Sequence, residues 1–170
     1  MKKRIWSLGL AAFTVMMLAD VFVVPIAGQA KPFKVLFTQQ DYVTAFNLAT
    51  GAGQQVGTVT GKISGTSIVD FQYTPTGPTT FNFDNKVVIT DLDGDQLRIR
   101  NQGTGSFIAP IDPSVFALGG PLEGTYEVLN GTGKYSSWVG EIFSCRAVLS
   151  NPVSGLGTVY VEVLSNHHHH

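Results

Sequence analysis

Three carboxylates stand at alternate positions in Asp91-Leu92-Asp93-Gly94-Asp95. A calcium loop begins this way, because a hard cation wants several oxygens at fixed reach. The later spacing departs from that pattern: Gln96 and Gln102 hold the positions where an EF-hand asks for glycine and for a bidentate acid. The segment therefore reads as an acidic turn whose Asp-Gly pair favours a type I′ hairpin, and no metal site is expected. Arg146 is a second candidate. It lies in 139–149, a stretch apolar on both faces apart from Glu141, Ser144, Cys145 and Arg146 itself. A guanidinium there must find water, a carboxylate or a ligand anion, since burial without a partner is strongly unfavourable. It either points outward beside a surface acid or faces the interior. Tyr73, Tyr126, Tyr135 and Trp138 each join apolar surface to a polar tip, which suits an ordinary core or a pocket that grips a flat ligand. Asp70, Asp91 and Glu141 are the acids nearest to apolar strand positions, and the spacing singles out none of them.

Histidine occurs only at His167–His170, the remainder of a purification tag. Without it the chain has no Ser-His-Asp triad, no histidine general base and no histidine metal ligand. Acid–base work would fall to a carboxylate, tyrosine or lysine moved towards neutral pH. Cys145 is the single cysteine, so no intramolecular disulfide forms and no Cys-His pair exists. It reads as a small buried hydrophobe. Asn130-Gly131-Thr132 matches the N-glycosylation sequon, and the same residues equally make a turn.

Residues 1–30 read as a secretory signal peptide. Met1-Lys2-Lys3-Arg4 precedes an apolar run from Ile5 to Ala19, and Ala27-Gly28-Gln29-Ala30 offers small residues before a cut after Ala30. The run is shorter than the roughly 20 apolar residues of a spanning helix, so no stable membrane anchor is expected after cleavage. A secreted or periplasmic address follows, with residues 31–166 as a single domain. Lys2, Lys3, Arg4 and Asp20 leave with the signal, which turns the 11 basic and 12 acidic residues of the whole chain into a modest acidic excess. With no basic cluster, nucleic acid and anionic membrane surfaces are not the expected partners.

Beyond the signal the hydrophobic period is two. Short runs of valine, threonine, glycine and aromatics are separated by turn residues, the signature of an all-β sandwich or barrel. Strands are predicted over 35–38, 55–63, 66–73, 81–91, 96–107, 124–129, 136–149 and 158–164. Gly57, Val59, Gly61 and Ile63 share one face, where glycine permits the sharp curvature that a closed barrel needs. Asn130-Gly131 followed by Gly133 predicts a hairpin between 125–129 and the segment from Lys134. The link at 108–121 is long enough to form a functional rim.

In Gly131-Thr132-Gly133-Lys134-Tyr135 followed by Val139-Gly140, and in the earlier Asp93-Gly94-Asp95 turn, the chain resembles the allene oxide cyclase and dirigent-like barrel family, with its secreted bacterial members. The likeness runs from about Gly53 to Leu164. It implies a single antiparallel eight-stranded β-barrel, calycin-like in outline, with an apolar lumen that in some relatives steers a reactive intermediate without metal or cofactor. It also implies dimers or trimers. The matched residues are turn glycines and their neighbours, so no catalytic residue transfers.

Three functions are compatible with these residues. The first is a barrel that binds a small hydrophobic molecule, contacted by Tyr73, Tyr126, Trp138 and Arg146, with no cofactor. The second is a cofactor-independent isomerase or cyclase. The third is an interaction protein whose barrel is packed solid, as eight strands allow.

Overall fold

Period-two segments bounded by turn residues become eight strands: β1 (Val35–Asn47), β2 (Ala52–Gly61), β3 (Gly65–Pro75), β4 (Thr80–Asp91), β5 (Gln96–Ser106), β6 (Gly120–Gly131), β7 (Ile142–Ser150) and β8 (Thr158–Leu164). The computed structural model describes residues 34–47, 49–107, 120–150 and 157–165. The expected signal at 1–30, the tag and most of the 108–121 link lie outside them. Each strand pairs antiparallel with the next, and β1 closes the ring onto β8 through Phe37↔Val163, Gln39↔Val161 and Asp41↔Val159. The all-β, closed eight-stranded antiparallel barrel predicted from the sequence is the observed fold. Closure leaves neither terminal strand with an open edge.

Alternation sorts the side chains. Val59, Ile63, Val69, Val87, Ile99 and Val163 are buried, with at most 3% of their surface exposed, while charged neighbours such as Asp84 and Arg100 pair outside the barrel. The face shared by Gly57, Val59 and Ile63 is thus the inner one.

Two elements differ from expectation. β1 runs nine residues past its predicted end at Thr38, and a register shift between Val43 and Ala45 carries Phe46 into position opposite Gly53. β6 and β7 pair antiparallel as expected, but the tight turn after Leu129 does not form. β6 continues to Gly131, a 3-10 turn spans Gly133–Trp138, and β7 starts only at Ile142. The acidic turn between β4 and β5 explains the difference. Asp91 Oδ1 accepts the backbone N–H groups of Asp93 and Asp95, each at 2.9 Å. Lys134 Nζ lies 2.7 Å from Asp91 Oδ2 and 2.6 Å from Asp93 Oδ2. The Tyr135 hydroxyl donates to Asp91 Oδ2 at 3.0 Å. Lys134 above all holds the Asp91 carboxyl down at about 2. These bonds draw the 3-10 turn over one end of the barrel, where Tyr135 is buried and meets Trp138 edge-on at 5.6 Å. The three carboxylates anchor a plug.

At the other end the barrel makes room by pairing phenylalanine with glycine across strands: Phe71 opposite Gly53, Phe81 opposite Gly105 and Phe83 opposite Gly103. A Cβ on Gly103 would fall 2.7 Å from Phe83 Cζ and 2.6 Å from Gly124 Cα. The rings therefore rest on bare backbone, a device that also covers strand glycines. Gly103→Ala is expected to cost about 1–3 kcal/mol through overpacking, read as a lower urea midpoint with an unchanged slope.

Candidate functional site

The open end carries an aromatic collar. Phe46 stacks on Tyr73 at 5.6 Å and on Phe71 at 5.8 Å. Phe81 stacks on Phe107 at 4.5 Å, and Tyr73 meets both edge-on. Below the collar lies a cavity of about 80 Å³ that opens to solvent. A single water needs about 10–15 Å³ of such space, so the cavity admits several waters or part of a small organic molecule. Its walls are mostly apolar, from Val69, Val87, Ala147, Leu149 and Val161 among others.

Two polar clusters interrupt those walls. On β1, Asp41 and Gln39 are each 1% exposed, as is Ser67 of β3. The Tyr126 hydroxyl reaches in from β6 and donates to Gln39 Oε1 at 3.0 Å. Gln39 Nε2 in turn donates to Asp41 Oδ2, and Ser67 Oγ to Asp41 Oδ1, both at 2.6 Å. Burial pushes the Asp41 carboxyl up to about 6, although both hydrogen bonds pull it down. Burial likewise drives the Tyr126 hydroxyl well above its ordinary range, with the nearby Cys145 and Asp41 adding to the effect.

The second cluster belongs to β4, β5 and β7. Asn101 Nδ2 donates to the Thr125 carbonyl at 3.1 Å and to Cys145 Sγ at 3.3 Å. Asn85 Nδ2 donates to Asn101 Oδ1 at 3.1 Å. Burial raises the Cys145 thiol to about 11, so at neutral pH it is a protonated wall group rather than a nucleophile.

Of the four residues expected to touch a ligand, the structure brings two to this cavity. Tyr126 lies deep in it and Tyr73 at its mouth. Trp138 and Arg146 lie elsewhere. Trp138 sits in the plug and borders a separate depression with Lys62, Glu141 and Phe143. Arg146 points outward, because the inner face of β7 is taken by Cys145, Ala147 and Leu149; its Nε lies 2.6 Å from Glu162 Oε2 on β8. The acids weighed from sequence also lie outside the cavity. Asp70 accepts from Gln54 on the outer face, Asp91 holds the plug and Glu141 is exposed. The carboxylate of the lumen is Asp41, which the sequence reading missed. A signal was there: Phe37, Gln39, Asp41 and Val43 keep the two-residue period straight through the polar run.

No family model matches the chain, and no curated protein does. Among solved structures the chain is similar to the crystal structure of a protein of unknown function from Clostridium acetobutylicum ATCC 824. The identity is 17%, the TM-score 0.48, and the match covers 79% of this chain and 97% of that one.

Asp41 gives the barrel a distinctive pH response. Its carboxyl titrates at an ordinary 3.8 when unfolded and at about 6 when folded. Between those values the unfolded chain releases the proton first, so stability falls as pH rises from about 4 through about 6 and levels off above. The loss is on the order of 3 kcal/mol. Asp84 and Asp91 are shifted the other way, by Arg100 and Lys134 respectively; their stabilisation is lost only on acidification below the ordinary carboxylate range. Urea midpoints measured at about pH 4 and about pH 7 are expected to differ for the native protein and to converge in Asp41→Asn.

Proposed function

We propose that this chain is an exported barrel, secreted or periplasmic, that holds a small hydrophobic molecule in its lumen. The observation that carries this reading is the cavity itself: an apolar wall under an aromatic collar, with a few buried polar groups converging on it. Small-molecule sites have that composition, apolar surface supplying affinity and sparse polar groups fixing orientation. The atom-free space below the collar weighs against a barrel packed solid. Export rests on the Lys2-Lys3-Arg4 cluster, the apolar run after it and Ala27-Gly28-Gln29-Ala30.

One observation favours a second reading, a cofactor-independent isomerase or cyclase of the allene oxide cyclase or dirigent kind. A carboxyl raised to about 6 can take up and release protons near neutral pH, and Asp41 holds it beside a cavity that would restrict a flexible substrate to few conformations.

Binding is tested with N-phenylnaphthylamine, an apolar probe that brightens out of water. Saturable fluorescence is expected with the native protein. Ala147→Trp, which fills the cavity from its wall, is expected to weaken binding by about tenfold or more, equivalent to about 1.4 kcal/mol. Arg146→Met, one residue away on the outer face, is expected to leave binding unchanged. A native protein that gives no saturable signal would overturn the reading.

A further inference from the structure

Among the described residues, the one side-chain atom on the lumen wall that is buried without any partner is an acceptor. The Thr125 carbonyl can only accept, so Asn101 must turn its Nδ2 towards it and present Oδ1 to Asn85. Asn85 must then offer Nδ2 to Asn101, which leaves Asn85 Oδ1 buried with no partner among the described residues. The first cluster is fixed from its acid: an ionised Asp41 only accepts, so Gln39 turns Nε2 towards it and its Oε1 takes the Tyr126 hydroxyl. Gln55, 9% exposed on the cavity wall, offers both a donor and an acceptor and adds no bias of its own. An orphaned buried acceptor is costly until something donates to it.

Positive charge is missing from this space. Every lysine and arginine among the described residues is exposed, and Arg100, Lys134 and Arg146 are committed to acids outside the lumen. In the sequence, the stretches 108–119 and 151–156, which follow β5 and β7, contain no lysine, arginine or histidine. An anion entering the lumen would be stripped of water, find no counter-charge and face Asp41.

From these two observations we infer that the lumen selects apolar molecules whose polar end donates a hydrogen bond and carries no negative charge, with Asn85 Oδ1 as the principal acceptor. The class includes neutral alcohols, phenols and amides and excludes free carboxylates such as fatty acids. The inference rests on the lumenal binding proposed above.

The test is displacement of N-phenylnaphthylamine at about pH 8, where a ligand carboxyl and Asp41 are both ionised, by three compounds on one scaffold: phenylbutanol, methyl phenylbutanoate and phenylbutanoate. The alcohol should compete about tenfold better than the ester, which lacks a donor, and better still than the anion. Asn85→Leu should erase the preference for alcohol over ester, and Asp41→Asn should narrow the handicap of the anion. An anion equal to the alcohol, an ester equal to it, or no competition by any of the three while the probe still binds would each overturn the inference and leave lumenal binding standing. Failure of the probe itself to bind would overturn both. The comparison of the three compounds on the native protein decides the matter even if a variant does not fold.

Discussion

Width is the constraint on which this structure depends. An eight-stranded barrel encloses a space that ordinary side chains are able to fill, so a cavity exists only if bulk is moved elsewhere. Here it is moved to the ends. Tyr135 and Trp138 occupy one, tied down by Lys134 and the Asp91 turn; Phe46, Tyr73, Phe81 and Phe107 occupy the other. The glycines opposite Phe71, Phe81 and Phe83 let the rings lie against the wall instead of across the lumen. The middle is left to valines, Ala147 and two polar clusters.

Those clusters are poor elements of a core built for stability alone. Apolar residues of similar volume often serve a folded state as well as a buried charged network or better, and a network with one unmet acceptor is weaker still. Asp41 makes the conflict measurable, since its ionisation opposes folding near neutral pH, whereas the carboxylates outside are stabilised by their cationic partners. The carboxyl that costs stability is the one that faces the cavity.

How far the sequence discloses this arrangement depends on whether a residue's surroundings are local. The strands from Gln55 to Asp91 are legible because runs rich in β-branched residues are broken there by turn residues, even though Ile68 and Val56 face outward. The second half of β1 is not, because Gln39-Gln40-Asp41 resembles a solvated turn unless the far wall that buries it is known. Leu129 to Ile142 misleads for a similar reason: its glycines suit a hairpin, and only the contact of Lys134 and Tyr135 with Asp91, distant in sequence, turns the segment into a plug. Tyr73 and Tyr126, singled out for their chemistry, do line the cavity. Arg146 shows the limit of that approach, since its neighbours permit either face and the register with β8 decides.

The pairing of β1 with β8 also orders events in time. Every other strand finds its neighbours next to it in sequence, but Phe37 must wait for Val163, and contacts between distant parts of a chain form slowly because a large loop has to close first. A polypeptide made from its N-terminus holds β1 with one side unsatisfied until almost the last residues of the domain have emerged. Completion of the barrel is thereby deferred to the end of synthesis, so that β1 and β8 are the last pair to form.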